Sequence, residues 1–352
     1  MISNKNYKKR IENLRTRRQD DLTKSILVSA AFNKTTYSET IRYVYEAMQE
    51  IDPDYTKRTY EACEKLKVHL TPGLAEAGIN LTYDYQGSVP NNIHIKLYSD
   101  IDMLAINTEF ETLQLPQVPA NPYQGDPVKE LKKMRQKSHQ ILDTVYTACT
   151  IDNTHSKALR ISGGSLQRQI DIVFCNYYNS NEYTRTKNNY YRGINILDRD
   201  NDQRILNYPF AHIYNINQKD QRVDGNEKRL IRFLKTLKAD AKEDSGIKID
   251  LSSYDIASLI YRMDDADLLL TSKKYLLLLN KCRAFFNKII TDKAFRDSLQ
   301  VANGTRAIFC SEGAQLSELV KLNSELNDVI EDILFESKPI FETLDKAEIN
   351  YF

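Results

Sequence analysis

Apolar residues recur at helical spacing through roughly the first 78 residues, and Thr35 to Leu70 is rich in Glu, Lys and Ala. Thr71-Pro72 reads as a helix start, with a capping residue before a proline at the first helical position, and Gly78 as the stop of that short helix. The period then changes. Asn80–Gln86 and Asp100–Ile106 carry alternating or continuous apolar positions suited to strands. Four prolines between Pro116 and Pro127 mark a loop, and Asp126-Pro127 opens a helix that runs to about Ala148. Ala158–Ser162 and Gln167–Tyr178 read as further strands, the second strongly alternating. Asn188–Ile196 and Phe210–Tyr214 are weaker strand candidates. From Gln218 onward nearly every segment has the helical period.

This succession predicts an α+β chain with a change of type near residue 216, mixed before it and helical after it. Its 352 residues suffice for two to three domains, and 41% hydrophobic with 28% charged residues is ordinary for a globular protein. With 49 basic against 48 acidic residues the net charge is +1, which argues against a surface sheathed in positive charge for nucleic acid. Eleven glycines and nine prolines leave little for disordered linkers. The five cysteines (Cys63, Cys149, Cys175, Cys282, Cys310) are odd in number and form no C-x-x-C pair, so neither a disulfide framework nor a zinc ribbon is signalled. Reduced thiols in a cytoplasmic protein are expected. Lys5 to Arg18 is basic and reads as the solvated face of a long helix. The apolar run Ile26–Phe32 is too short to span a bilayer, and Lys273 and Lys274 interrupt the leucine clusters at Leu268–Leu270 and Leu276–Leu279, so no transmembrane helix is expected.

The candidate chemistry lies on the strands. Gly87-Ser88 ends one strand, and after 11 further residues Asp100-Ile101-Asp102 begins the next. Side chains two apart on a strand share a face, so Asp100 and Asp102 present two carboxylates together. Asp171 stands mid-strand in Gln-Arg-Gln-Ile-Asp-Ile-Val-Phe, where a charge must be paired, exposed at the sheet's end, or on a metal. The bland readings are a solvated strand end for the first two, a core acid paired with Arg168 or Arg160 for the third, and a turn cap for Ser88. Three convergent carboxylates suit two Mg²⁺ ions with their oxygen ligands. A glycine before Ser88 lets backbone amides and the hydroxyl approach a triphosphate.

Gly87-Ser88, the 11-residue gap, Asp100-x-Asp102 and a later strand Asp171 together resemble the polymerase-beta-like nucleotidyltransferase superfamily. Downstream, Arg229 to Lys235 starts a helix block, and Leu251-Ser252-Ser253-Tyr254 begins another, with Ser253 18 positions after Lys235. This pairing resembles the helical lobe of oligoadenylate synthetase, cyclic GMP-AMP synthase and the bacterial antiphage cyclases (CD-NTases) related to them. No His/Cys cluster matches the zinc ribbon of the animal DNA sensor, so the bacterial cyclases are the better fit.

The resemblance implies a nucleotidyltransferase core over residues 1–216, including the N-terminal helices, and a helical lobe over 217–352, bilobed with a central cleft. It implies Asp100, Asp102 and Asp171 as catalytic metal ligands for two Mg²⁺ ions, with Mn²⁺ as a substitute. Gly87, Ser88, Lys235 and Ser253 would hold the donor triphosphate, and Tyr254 would stack on a base. The plain alternatives are a solvated helix lysine for Lys235 and simple packing for Tyr254. The implied activity is synthesis of a cyclic di- or trinucleotide second messenger from ribonucleoside triphosphates in a cytoplasmic antiphage system. The product would act on a separate effector, with no membrane and no required nucleic acid. The alternatives are transfer to another acceptor, such as an RNA end or a small molecule, and a catalytically silent binding module.

Overall fold

The computed structural model describes residues 5–18, 38–95, 100–269 and 274–341. The run Ile26–Phe32 lies outside them, as do Leu270 and Lys273. The chain divides into two compact units. One gathers residues 1–51, 92–98 and 216–352; the other gathers 52–91 and 99–215. One unit boundary falls at residue 216; of the N-terminal segment, residues 1–51 gather with the helical unit and 52–91 with the sheet.

The second unit opens on a helix, α3 (Pro53–Glu76). The Asp52 side chain caps it by accepting from the Asp54 amide, and Pro53 takes the first turn, where a missing N–H costs nothing. Thr71-Pro72 is therefore not a start. Cys63, Leu66, Leu70 and Leu74 form one buried stripe that carries the helix through Pro72 to a stop at Gly78, whose φ is +71°.

The strands are β1 (Leu81–Gln86), β2 (Ile101–Leu113), β3 (Cys149–Asp152), β4 (Leu159–Gly163), β5 (Leu166–Asn179), β6 (Arg192–Asp198) and β7 (Gln203–Asn207). They form one seven-stranded sheet ordered β1-β2-β5-β4-β3, with β6 also on β5 and β7 on β6. Among the described residues only the β2–β5 pair is parallel, so the sheet is mixed. β3 and β7, which the sequence reading does not contain, are short edge strands with too few residues for a clear alternation. Phe210–Tyr214 is not a strand. It lies in helix α6 (Pro209–Arg222), which follows the short α5 (Asn181–Thr186) and in which Ala211, His212, Ile216 and Lys219 are buried at helical spacing.

Alternation divides the central strands between two faces. Ile101, Met103, Ala105, Ile170, Ile172 and Phe174 pack with Leu66, Leu70 and Leu74 of α3 and with Leu131, Met134 and Leu142 of α4 (Pro127–Val145). Leu104, Ile106, Val173 and Cys175 form a smaller cluster on the opposite face with Ile194 and Ile196. By the same parity, Asp100, Asp102 and Asp171 belong to that second face.

The helical unit contains α1 (Tyr7–Arg18), α2 (Glu39–Met48), α7 (Asn226–Ser245), α8 (Ser253–Tyr261), α9 (Asp265–Leu268), α10 (Tyr275–Thr291), α11 (Lys293–Ser298) and α12 (Leu316–Phe341). Its core joins Tyr43, Val44 and Met48 to Phe233, Leu237, Leu259, Phe286 and Leu326. The basic α1 is not simply a solvated face. Arg10 is fully buried, its Nε donating to Asp244 at 2.5 Å, and Tyr7 donates to Asp332 at 2.6 Å. Among the described residues, no helix is long and apolar enough to cross a membrane.

These burial differences predict opposite responses to truncation. Phe174→Ala removes a fully buried ring and should cost about 3–5 kcal/mol. Val68→Ala alters a side chain that is 68% exposed and should stay within about 0.5 kcal/mol. Urea unfolding followed by circular dichroism measures both, and equal effects would refute the assignment of the helix-covered face.

Candidate active site

The β2–β5 register sets Asp102 opposite Asp171. Beyond β2, Gln86 of β1 stands opposite Asp102; beyond β5, Arg160 of β4 stands opposite Asp171. In-register partners share a face, so Gln86, Asp102, Asp171 and Arg160 form one polar row across four strands, away from α3 and α4. Asp171 accepts from Arg160 Nε at 2.8 Å and from Nη2 at 2.9 Å. That fork raises the guanidinium pKa. Asp100, just ahead of β2, accepts from Gln169 Nε2 at 2.7 Å. Burial pushes its carboxyl pKa up, and the Asp171 charge pushes it further, against Arg160 and Arg168.

Gly87 follows β1 with φ +83°, and a Cβ built there would lie 2.2 Å from Asp102 Oδ2. The close approach of backbone and carboxylate therefore requires glycine. Ser88 is half-buried in the same turn, and Asn91 Nδ2 closes the turn by donating to the Gly87 carbonyl at 3.3 Å. Among the described residues, no three Asp, Glu, His or Cys side chains are grouped as a metal-ligand set, and both Asp171 oxygens are engaged by Arg160. The chemistry of Asp100 and Asp102 still fits a hard divalent cation. They are two carboxylates on one face of one strand, with an Asp102 oxygen set against a residue that has no side chain.

The helical unit carries the other predicted residues. Lys235 on α7 is buried, and its Nζ donates to the Ile93 carbonyl at 2.7 Å. Ser253 is the first residue of α8, after Ser252, which caps the helix by accepting from the Asp255 amide at 2.9 Å. Lys235 and Ser253 line one cavity of about 260 Å³ together with Lys238, Lys242, Lys248, Ile95, Ile249 and Asp250. Lys238 donates to the Leu251 carbonyl at 2.6 Å, and burial holds its ammonium pKa below the usual lysine value. Lys238 and Lys242 lie outside the predicted site residues, although positions 235, 238 and 242 follow helical spacing along one face. Tyr254 packs against the helical core, with its hydroxyl donating to Asn303 Oδ1 at 2.8 Å and Arg306 over its ring.

A basic cavity suited to polyphosphate and a carboxylate row suited to divalent cations are the equipment of nucleotidyl transfer. The model of the cGAS/DncV-like nucleotidyltransferase C-terminal helical domain matches residues 214–331. The chain is 34% identical over 333 residues to the cyclic dinucleotide synthase CdnE of Yersinia aleksiciae, covering 92% of this chain and 86% of that one. It belongs to the cGAS/DncV-like nucleotidyltransferase family. A second member, the c-di-GMP synthase of Lachnospiraceae bacterium (strain RUG226), is 33% identical over 79% of this chain and 85% of its own length. The structure of the STING-associated CdnE c-di-GMP synthase from Capnocytophaga granulosa superposes with a TM-score of 0.75 at 30% identity, covering 94% of this chain and all of that one. Membership makes this chain a cGAS/DncV-like nucleotidyltransferase, an enzyme of cyclic oligonucleotide synthesis. Its α+β fold, a mixed sheet with a C-terminal helical domain, is the family's fold.

Gly87→Ala tests the close approach. The new methyl group would displace the flexible end of Asp102 rather than the sheet, so nucleotidyl transfer should fall by about 100-fold with the circular dichroism spectrum unchanged. Transfer at the unsubstituted rate would remove the Gly87–Asp102 approach from the site.

Proposed function

We propose that this enzyme joins two ribonucleoside triphosphates into a cyclic dinucleotide, releasing pyrophosphate as each phosphodiester forms. The observation that carries this reading is the Asp102–Asp171 pair held in register beside Gly87. Asp100, Asp102 and Asp171 are the residues that would hold two Mg²⁺ ions, or Mn²⁺. When bound, such ions stabilise the attacking and leaving oxygens of phosphoryl transfer. Asp171 would also sit beside the acceptor hydroxyl and accept its proton. Gly87 offers its backbone amide, and Ser88 its hydroxyl, to the donor's outer phosphates.

Lys235 and Ser253 are the proposed triphosphate ligands of the helical unit, and Lys238, Lys242 and Lys248 add positive charge to their cavity. Tyr254 is proposed to stack on a base, a contact worth about 1–3 kcal/mol and tolerant of base identity. The first transfer gives a linear dinucleotide that keeps one triphosphate. A second attack, on the α-phosphorus of that triphosphate, closes the ring. GTP is the first substrate to try, because two of the relatives above are c-di-GMP synthases. The product would act as a diffusible messenger on a separate effector in antiphage defence, within the cytoplasm. The STING association of the Capnocytophaga granulosa protein supports such a role.

The test uses purified protein, the four labelled ribonucleoside triphosphates, and Mg²⁺ or Mn²⁺. The expected product resists phosphatase and has the mass of a cyclic dinucleotide. Replacing Asp100 and Asp102 together with Ala should abolish it and leave the protein folded. A phosphatase-sensitive linear product, or extension of added RNA in its place, would overturn the cyclase reading.

Lys235→Ala should raise the KM for triphosphate by about ten-fold with little change in kcat, as expected for lost ground-state binding. An unchanged KM would remove Lys235 from the donor site.

A further inference from the structure

Arg160 has no role in the reaction outlined above, yet its side chain reaches the centre of the carboxylate row. It stands on β4 directly opposite Asp171, and its Nε and Nη2 occupy one edge of that carboxylate at 2.8 and 2.9 Å. On its other side, Asp152 of β3 is in register with it. Asp152, however, accepts from the Thr154 amide at 2.8 Å and hydroxyl at 2.6 Å and lies 3.2 Å from His155 Nε2. The guanidinium fork is thus committed to Asp171, in the planar two-bond geometry that an arginine supplies and a lysine does not. The side chains are 29% and 13% exposed, so their attraction is less screened than that of a surface pair.

We propose that Arg160 is the resident counter-ion of the transfer site, a positioning residue that neutralises Asp171 when no divalent cation is present and sets how tightly the cation is held. The proposal rests on the reading that Asp100, Asp102 and Asp171 are the cation's ligands. Like charges directly opposite on neighbouring strands repel, and the register gives Asp102 and Asp171 no means of separating. A guanidinium fixed on the next strand offsets that repulsion without entering the row between them. An ionised carboxylate has about four acceptor positions, so the fork on one edge of Asp171 leaves others for a cation. The positive charge that stabilises the empty site also opposes a divalent ion, so Arg160 holds cation affinity below what three bare carboxylates would give.

Mn²⁺ alone is the probe, titrated into the full chain and followed by the electron paramagnetic resonance signal of the free ion. Arg160→Gln should bind Mn²⁺ more tightly than the unsubstituted protein, on the order of ten-fold. Its Tm without divalent ion should be lower, and the rise in Tm on adding Mn²⁺ larger. Arg160→Lys keeps the charge and loses the fork, and should bind Mn²⁺ within about two-fold of the unsubstituted protein. Unchanged or weaker binding by Arg160→Gln overturns the proposal. A several-fold shift in Arg160→Lys also overturns it, and that variant decides the matter if Arg160→Gln does not fold.

Asp102→Asn separates the two readings. Weakened Mn²⁺ binding there supports the carboxylates as ligands, so that a failure in the Arg160 variants would then count against the counter-ion alone. Binding equal to that of the unsubstituted protein, or no Mn²⁺ binding by the latter at millimolar ion, overturns the ligand reading and the counter-ion with it.

Discussion

The register between β2 and β5 is the constraint on which the site depends. It sets Asp102 opposite Asp171, an arrangement that electrostatics alone disfavours. Packing enforces it from both faces. Ile101, Met103, Ile170 and Ile172 are buried against the helices on one side, and Leu104, Ile106, Val173 and Cys175 form an apolar cluster on the other. Slipping either strand by one residue would turn its acids toward α3 and α4 and its core residues away from them. Much more burial is at stake in that slip than repulsion is relieved by it. The sheet can therefore carry an unfavourable charge pair at a fixed place, with Arg160 and Gln169 moderating the local cost.

The central strands were legible because their alternation is long and strong. Asp100 and Asp102 could be assigned to one face from parity, but that Asp171 shares it needed the β2–β5 register. The glycine-serine turn was legible as a motif, but the reason for its glycine was not. That reason is an approach to Asp102 from 15 residues further along the chain, which no local pattern encodes. Arg160 as the partner of Asp171 was one of two arginines open to the sequence. The choice between it and Arg168 needed the antiparallel pairing of β4 with β5. The misreadings have local causes. Thr71-Pro72 has the chemistry of a helix start, yet the buried stripe from Cys63 to Leu74 carries the helix through it. Phe210 to Tyr214 alternates over too few residues to distinguish a strand from the first turns of a helix.

The lysine cavity makes a related point at longer range. Lys235 and Ser253 were linked only by resemblance, because a spacing of 18 residues carries no geometric meaning until the turn between two helices is known. The structure supplies that turn. α7 ends at Gly246 with φ +66°, and α8 begins under the Ser252 cap, so Lys235, Lys238 and Ser253 line one cavity. The partial burial of its lysines fits the triphosphate-binding role proposed for them. An ammonium short of water gains more from a phosphate oxygen than a fully hydrated one does.

The segment order of the two units has a consequence for how the protein is made. On the ribosome, all of the sheet unit has been synthesised by residue 215. The N-terminal helices belong to a unit whose remaining helices follow later. Tyr43 and Tyr7 must wait for Asp240 and Asp332, their hydrogen-bonding partners. At about 5–20 residues per second, the α2 residues that pack on α7 stay without that partner on the nascent chain for roughly ten seconds or longer. Through that interval α1 and α2 are natural clients for a chaperone that shields apolar helices, while the sheet with its carboxylate row can already close.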